Sequence, residues 1–400
     1  MAAGLSRRGA ALALALSAGA LAPLPAAAAD AHAQAAACGP VVTQPLAEPP
    51  WPLTRLRPDL AWPLTKGAGV RVAVIDSGVS ADHPSLTGKV QPGVDFVNPA
   101  AGPGHCDENG HGTLIAGIIA GRESVSAGFR FHGVAPEATI VPVRVLRDQR
   151  RSFENDLSQR IAAAVRWAVD TGRADVVNLS LTTVPTSQLR GAIAHALDRG
   201  VVVVAAAGNE GETEPGQAVF PAAYDGVIGV ASVDRDDARV SSSSTGPHID
   251  VAAPGVRIAG PSPAGGGYLF SEEGGTSFAA AYVSGVAALI RARDRQLTPA
   301  QVAERITQTA QHPPDQWNPE VGFGVVDPAR AVGSLRVAPA PREAPAEQVR
   351  LPVEPAAPDR SLTVAATWIA ATGAVAVVVV LTAVPVSRRG RLRRWRAGRI

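Results

Sequence analysis

Lysine is almost absent from this chain: among 37 lysines and arginines, only Lys66 and Lys89 are lysine. With the abundance of alanine, that scarcity reads as the mark of a GC-rich genome rather than of a function. An excess of either charge is missing too. Formal net charge is +2, so no whole-chain field argues for nucleic acid or for an acidic partner. No internal repeat of about 20–50 residues is visible, which excludes a repeat architecture. Cysteine is limited to Cys38 and Cys106, so at most one disulfide can form within the chain. His105, Cys106, Asp107 and His111 do not have the spacing of a standard metal site, and no clear calcium loop is visible. No cofactor is expected.

What is present suits one large globular domain with appendages: 400 residues, 46% of them hydrophobic. The first segment, "MAAGLSRRGAALALALSAGALAPLPAAAAD", places Arg7 and Arg8 before a short apolar stretch and a small-residue run. That is the pattern of an export signal over residues 1–29. A twin-arginine signal is the less favoured variant, because Gly9 and Ala10 rather than bulky apolar residues follow the pair. Residues 362–384 carry no charge and are long enough to span a bilayer. The tail 385–400 has seven arginines and no acid, which puts it in the cytoplasm. The two ends together place the body outside the cytoplasm. In an oxidising compartment, an even cysteine count points to one bond between Cys38 and Cys106, with two buried free thiols as the alternative.

Residues 30–67 read as a proline-rich arm anchored by Trp51 and Trp62, and residues 334–361 as a Pro/Ala-rich tether. Between them, over 68–333, strand and helix signals alternate. "VRVAVI", "TIVPVRVL", "DVVNLSL", "VVVVAAAG" and "VIGVASV" read as strands. Residues 112–121, 157–172, 187–200, 277–293 and 298–310 read as helices, those at 157 and 187 closed by glycine and that at 298 opened by a capping box. Alternation of this kind predicts an α/β fold with a mainly parallel central sheet. Ligands then bind beyond the carboxyl ends of the strands.

That rule selects the reactive residues. Asp76 follows "VRVAVI", Asn209 follows "VVVVAAAG", and His111 and Ser277 open glycine-flanked helices. A serine hydroxyl is a weak nucleophile until a histidine takes its proton. A buried aspartate fixes the imidazole tautomer and stabilises the imidazolium. An amide and a helix N-terminal N–H can stabilise an oxyanion. Each residue also has a plain alternative. Asp76 and Asn209 sit in good turn sequences, His111 can pack, and Ser277 can cap a helix. His195, between Ala194 and Ala196, reads as a packing or surface residue.

Taken together, "VAVIDSGV", "GHGTLIAG", "VVNLSL", "AAAGNEG" and "GGTSFAAAYVSG" resemble the successive motifs of subtilisin-like serine proteases, whose triad runs in the order Asp, His, Ser. By that resemblance Asp76, His111 and Ser277 are the triad and Asn209 the oxyanion amide. Leu114, Ala281 and Tyr282 depart from most subtilisins, which have His-Gly-Thr-His and a Pro-His after the serine motif. With "CDENGHGTLIAG", "RPDLAWPLTKGAG", the arm, the tether and the membrane segment, the chain resembles mycosins, the membrane-anchored subtilisin-like proteases of actinobacterial type VII secretion systems. The resemblance implies polypeptide substrates, a place in the secretion membrane complex, a three-layer fold and no nucleic acid. It also carries a second reading, a mainly structural component with weak or dispensable proteolysis. Where relatives have glycines after the "NLSL" strand, this chain has Thr182 and Thr183, which should narrow the cleft or change its edge. The arm is too short for a separately folding propeptide and should wrap the body.

Overall fold

The computed structural model describes residues 38–147, 156–334 and 361–393. The expected signal segment, nearly all of the tether and the end of the arginine-rich tail lie outside the described residues. The chain divides into two units, Met1–Leu335 and Arg336–Ile400.

In chain order the first unit holds α1 (Trp51–Leu56), β1 (Arg71–Asp76), β2 (Val94–Asp95), α2 (His111–Ala120), β3 (Ser124–Ser126), β4 (Phe129–Phe131) and β5 (Thr139–Arg144). There follow α3 (Leu157–Asp170), β6 (Val176–Leu179), α4 (Ser187–Asp198), β7 (Val202–Ala206), β8 (Ile228–Val233), β9 (Val251–Pro254), β10 (Ile258–Pro261) and β11 (Tyr268–Ser271). It closes with α5 (Thr276–Arg293), α6 (Pro299–Thr309) and α7 (Pro328–Gly333). Seven strands form one parallel sheet in the order β2-β5-β1-β6-β7-β8-β9. Its strands are nearly continuous apolar runs because both faces are covered.

One face packs on α2 and α5 through Val72, Val74, Ile115, Ile118, Val283 and Leu289. The other packs on α3 and α4 through Ala73, Ile75, Ile161, Val165, Leu189 and Ile193. After β1 the chain first builds β2 and β5 on one side, then crosses to β6 on the other. Crevices open at such reversals, so the carboxyl ends of β1 and β6 are where a site is placed. Gly285 lets α5 come close to its neighbour: a Cβ there would meet Val134 Cβ at 2.5 Å.

Element ends differ from the sequence reading by a residue or two. α2 begins at His111 itself and α5 at Thr276. α3 stops at Asp170 with Thr171 as its C-cap, short of the expected Gly172. The capping box at α6 forms, with Thr298 and Gln301 exchanging bonds. His195 bonds Asp170 at 2.9 Å and ties α4 to α3.

The arm is not wholly extended: it contains α1 and a tight turn at Pro58–Ala61. Proline is tolerated in a first helical turn because no intrahelical N–H bond is needed there. The indole N–H of Trp51 donates to Val256 O and that of Trp62 to Val134 O. Before α1 the arm lies along the β10–β11 hairpin, through Val42 N to Ala264 O, Gly267 N to Val42 O and Tyr268 N to Gln44 O. Cys38 and Cys106 form a disulfide. The arm therefore wraps the body, as expected.

The second unit contains α8 (Ser361–Leu392), and Val364–Leu392 is long and apolar enough to cross a membrane. The helix outlasts the expected 362–384, passing Pro385 and taking in Arg388, Arg389 and Arg391. Arginine is a good helix former, and uncharged composition alone marks only the apolar part.

Candidate active site

Asp76 ends β1, and His111 is the first residue of α2. Both are buried, and His111 Nδ1 lies 2.7 Å from Asp76 Oδ1. Ser77 adds its N–H to the same oxygen at 2.7 Å. With Nδ1 engaged by the carboxylate, Nε2 is the nitrogen left for a substrate-side partner. Burial pulls the His111 pKa down. The attraction and hydrogen bond of Asp76, with a smaller contribution from Asp107, outweigh it and hold the imidazole above its ordinary range. The Phe278 ring packs beside the imidazole, its centroid 5.4 Å away.

A cleft of about 200 Å³ opens beside this pair, and His111, Ser180, Thr182, Asn209, Thr276 and Ser277 all line it. Leu146, Leu157 and Leu181 supply apolar wall. Ser277 sits in the first turn of α5, where backbone N–H groups lack intrahelical acceptors. Its hydroxyl donates to Ser180 O at 3.1 Å rather than to His111. In return Ser180 Oγ donates to Ser277 O at 2.8 Å. Asn209 is exposed on the loop after β7, and its Oδ1 accepts from both Thr276 N and Thr276 Oγ1, at 2.9 and 3.1 Å. With the carbonyl end taken, the amide NH2 is the end free to face a ligand. Asp76, His111, Asn209 and Ser277 thus come together from four separate stretches.

Other residues hold the site and were not singled out by sequence reasoning. Thr276 pins Asn209 and also accepts from Gly208 N at 3.1 Å. A buried relay runs from Ser284 Oγ to Asn178 Oδ1, and from Asn178 Nδ2 to Ser180 Oγ, at 2.9 Å each. It fastens the end of β6 to α5. The signal for it was a small polar residue inside each of two apolar runs, "VVNLSL" and "YVSGV". Leu114, Ala281 and Tyr282 are all buried, so the departures from the usual motif are absorbed by packing. Of the two threonines after β6, Thr182 lines the cleft and Thr183 N donates to Phe220 O at 2.9 Å. That segment is therefore tied to the Phe220 segment.

The fold and cleft are those of a subtilisin-like serine endopeptidase. Residues 67–324 match the subtilase family (Peptidase_S8), and the chain belongs to it. Within that class it is a homologue of mycosins. It is 42% identical over 312 residues to mycosin-4 of Mycobacterium tuberculosis, covering 69% of this chain and 67% of the relative. Mycosin-1 of the same organism is 38% identical over 367 residues, covering 78% of this chain and 80% of that protein. The crystal structure of MycP1 from the ESX-1 type VII secretion system matches with a TM-score of 0.66 at 33% identity, over 75% of this chain and 90% of that one.

Proposed function

We propose that Ser277 is the nucleophile of this endopeptidase, His111 its general base, Asp76 the residue that orients the base, and Asn209 an oxyanion donor. The observation that carries the reading is the 2.7 Å His111–Asp76 contact at the rim of a cleft that Ser277 and Asn209 also line. In the attack step Ser277 Oγ leaves the Ser180 carbonyl and turns to His111 Nε2, which takes its proton as the bond to the peptide carbonyl forms. Asn209 Nδ2 and the Ser277 N–H receive the negative charge on the carbonyl oxygen. His111 then protonates the leaving amine, and water repeats the sequence to release the acyl group.

We further propose that α8 anchors the protein, with the body outside the cytoplasm and the arginine-rich tail inside. The substrates are then polypeptides exported by a type VII secretion system, which this chain also supports as part of the membrane complex. The apolar helix and the secretion system to which MycP1 belongs support this placement.

The test is hydrolysis of an unfolded polypeptide by the purified chain. Ser277→Ala removes one hydroxyl, so the fold is expected to survive while cleavage falls to background. Asn209→Ala is expected to lose about 100- to 1,000-fold in turnover. Undiminished cleavage by a folded Ser277→Ala variant overturns the assignment. Secretion that persists with that variant assigns the structural contribution to the body rather than to its chemistry.

A further inference from the structure

We propose that Asp107 is a positioning residue for the His111–Asp76 pair, acting through Ser77 and the first turn of α2. The proposal rests on the triad reading above. Asp107 is fully buried and does not line the cleft, so it reaches the chemistry only through other residues.

Its carboxylate accepts four hydrogen bonds. Oδ1 takes Ser77 Oγ at 2.8 Å and Gly110 N at 2.9 Å. Oδ2 takes Thr113 N at 2.7 Å and Thr113 Oγ1 at 2.6 Å. Gly110 and Thr113 flank His111, so these bonds fix the helix end from which the imidazole projects. They also satisfy N–H groups that a helix start leaves orphaned. The Ser77 branch leads to the other partner. Ser77 Oγ lies 3.1 Å from Asp76 Oδ1 and accepts from Gly112 N at 3.1 Å. The one hydroxyl proton has three acceptors in reach, Asp76 Oδ1, Asn109 Oδ1 at 3.1 Å and Asp107 Oδ1, and the nearest is Asp107. The arm braces Asp107 from behind: Cys106 is bonded to Cys38, and a Cβ on Gly39 would meet the Asp107 carbonyl oxygen at 2.0 Å.

The carboxylate also acts by charge. The charged groups around His111 are Asp76 on β1 and Asp107 before α2. Arg144 at the end of β5 is occupied by Asp95 and Glu108, and Glu210 stands on the cleft wall. Asp107 reinforces the pull that Asp76 exerts on the imidazolium. Burial, and to a smaller extent the Asp76 carboxylate, push the Asp107 carboxyl above its ordinary range against the hydrogen bonds from Thr113 and Ser77, and it acts on His111 in its ionised form. Loss of that charge lowers the basicity of His111, whereas mere loosening of the fold does not set that sign.

The test compares the full-length chain with Asp107→Asn, reading thermal unfolding, fluorophosphonate labelling, and kcat and KM across pH. The expected result is a folded variant still labelled at Ser277. Its kcat falls on the order of 10- to 100-fold at unchanged KM, and its rising pH limb has a lower midpoint. A folded variant with the parent's kcat and midpoint overturns the proposal. Should Asp107→Asn not fold, Ser77→Ala keeps Asp107 and its bonds to α2. It is expected to lose kcat several-fold, with recovery in Ser77→Thr, and an unchanged kcat overturns the proposal. A parent that is never labelled at Ser277 overturns the triad reading and this proposal with it. A labelled parent beside an unmoved variant overturns this proposal alone.

Discussion

His111 is pulled two ways, and the direction that wins has consequences for pH. Burial disfavours the imidazolium, but Asp76 and then Asp107 favour it more, so the folded-state pKa lies above the ordinary value. Stability from this group is therefore full below about pH 6.5 and is lost as pH rises through the folded pKa. Catalysis runs in the opposite sense, because the base must be neutral to take the Ser277 proton. The expected profile of kcat/KM is a one-proton limb rising with pH and centred above about 6.5, the free-histidine value. A midpoint below that value contradicts the coupling to Asp76. The four residues of the proposed site were legible in the sequence because Asp76 and Asn209 follow apolar strand runs and His111 and Ser277 open glycine-flanked apolar helices. Thr276, Ser77 and Asp107 were not, since their roles depend on contacts between segments far apart in the chain. Asp107 in particular drew notice only as a poor fit to metal spacing.

Among the elements, α5 does most of the assembly. It presents Ser277 at one end, covers the sheet along its length and, from its middle, donates the Ser284 hydroxyl to Asn178. Its close approach to Val134 leaves no room at Gly285. Gly285→Val is expected to destabilise the body by about 1–3 kcal/mol through overpacking. That outweighs the gain of under about 1 kcal/mol from replacing a helical glycine. Thermal unfolding reads it, and an unchanged or raised midpoint contradicts the packing described. The strands β1, β5, β6, β7 and β8 were legible from dense β-branched or small apolar runs. By contrast β9, "VAAP", and β10, "IAGP", are four residues each, contain proline and have no alternation, so only pairing defines them. Likewise α1 was hidden by its prolines, which read as extended chain when they in fact stand at a helix start.

For the whole molecule, the arm, the body and the apolar helix divide the work. The arm is stapled by the Cys38–Cys106 disulfide at the loop that leads into α2 and His111, and its two indoles anchor it further along. The apolar helix and the arginines after it set the proposed orientation. Protease added to intact spheroplasts is expected to digest the body and leave an epitope on the C-terminal tail protected; a digested tail with a protected body contradicts that topology. The central claim, that this chain is a serine endopeptidase acting through Ser277, is tested most directly by covalent capture. The full-length protein is treated with a fluorophosphonate probe, digested, and the labelled residue mapped by mass spectrometry, alongside Ser277→Ala. The account predicts one adduct, on the peptide containing Ser277, and none on the folded variant. An adduct on another serine, or equal labelling of Ser277→Ala, would contradict it.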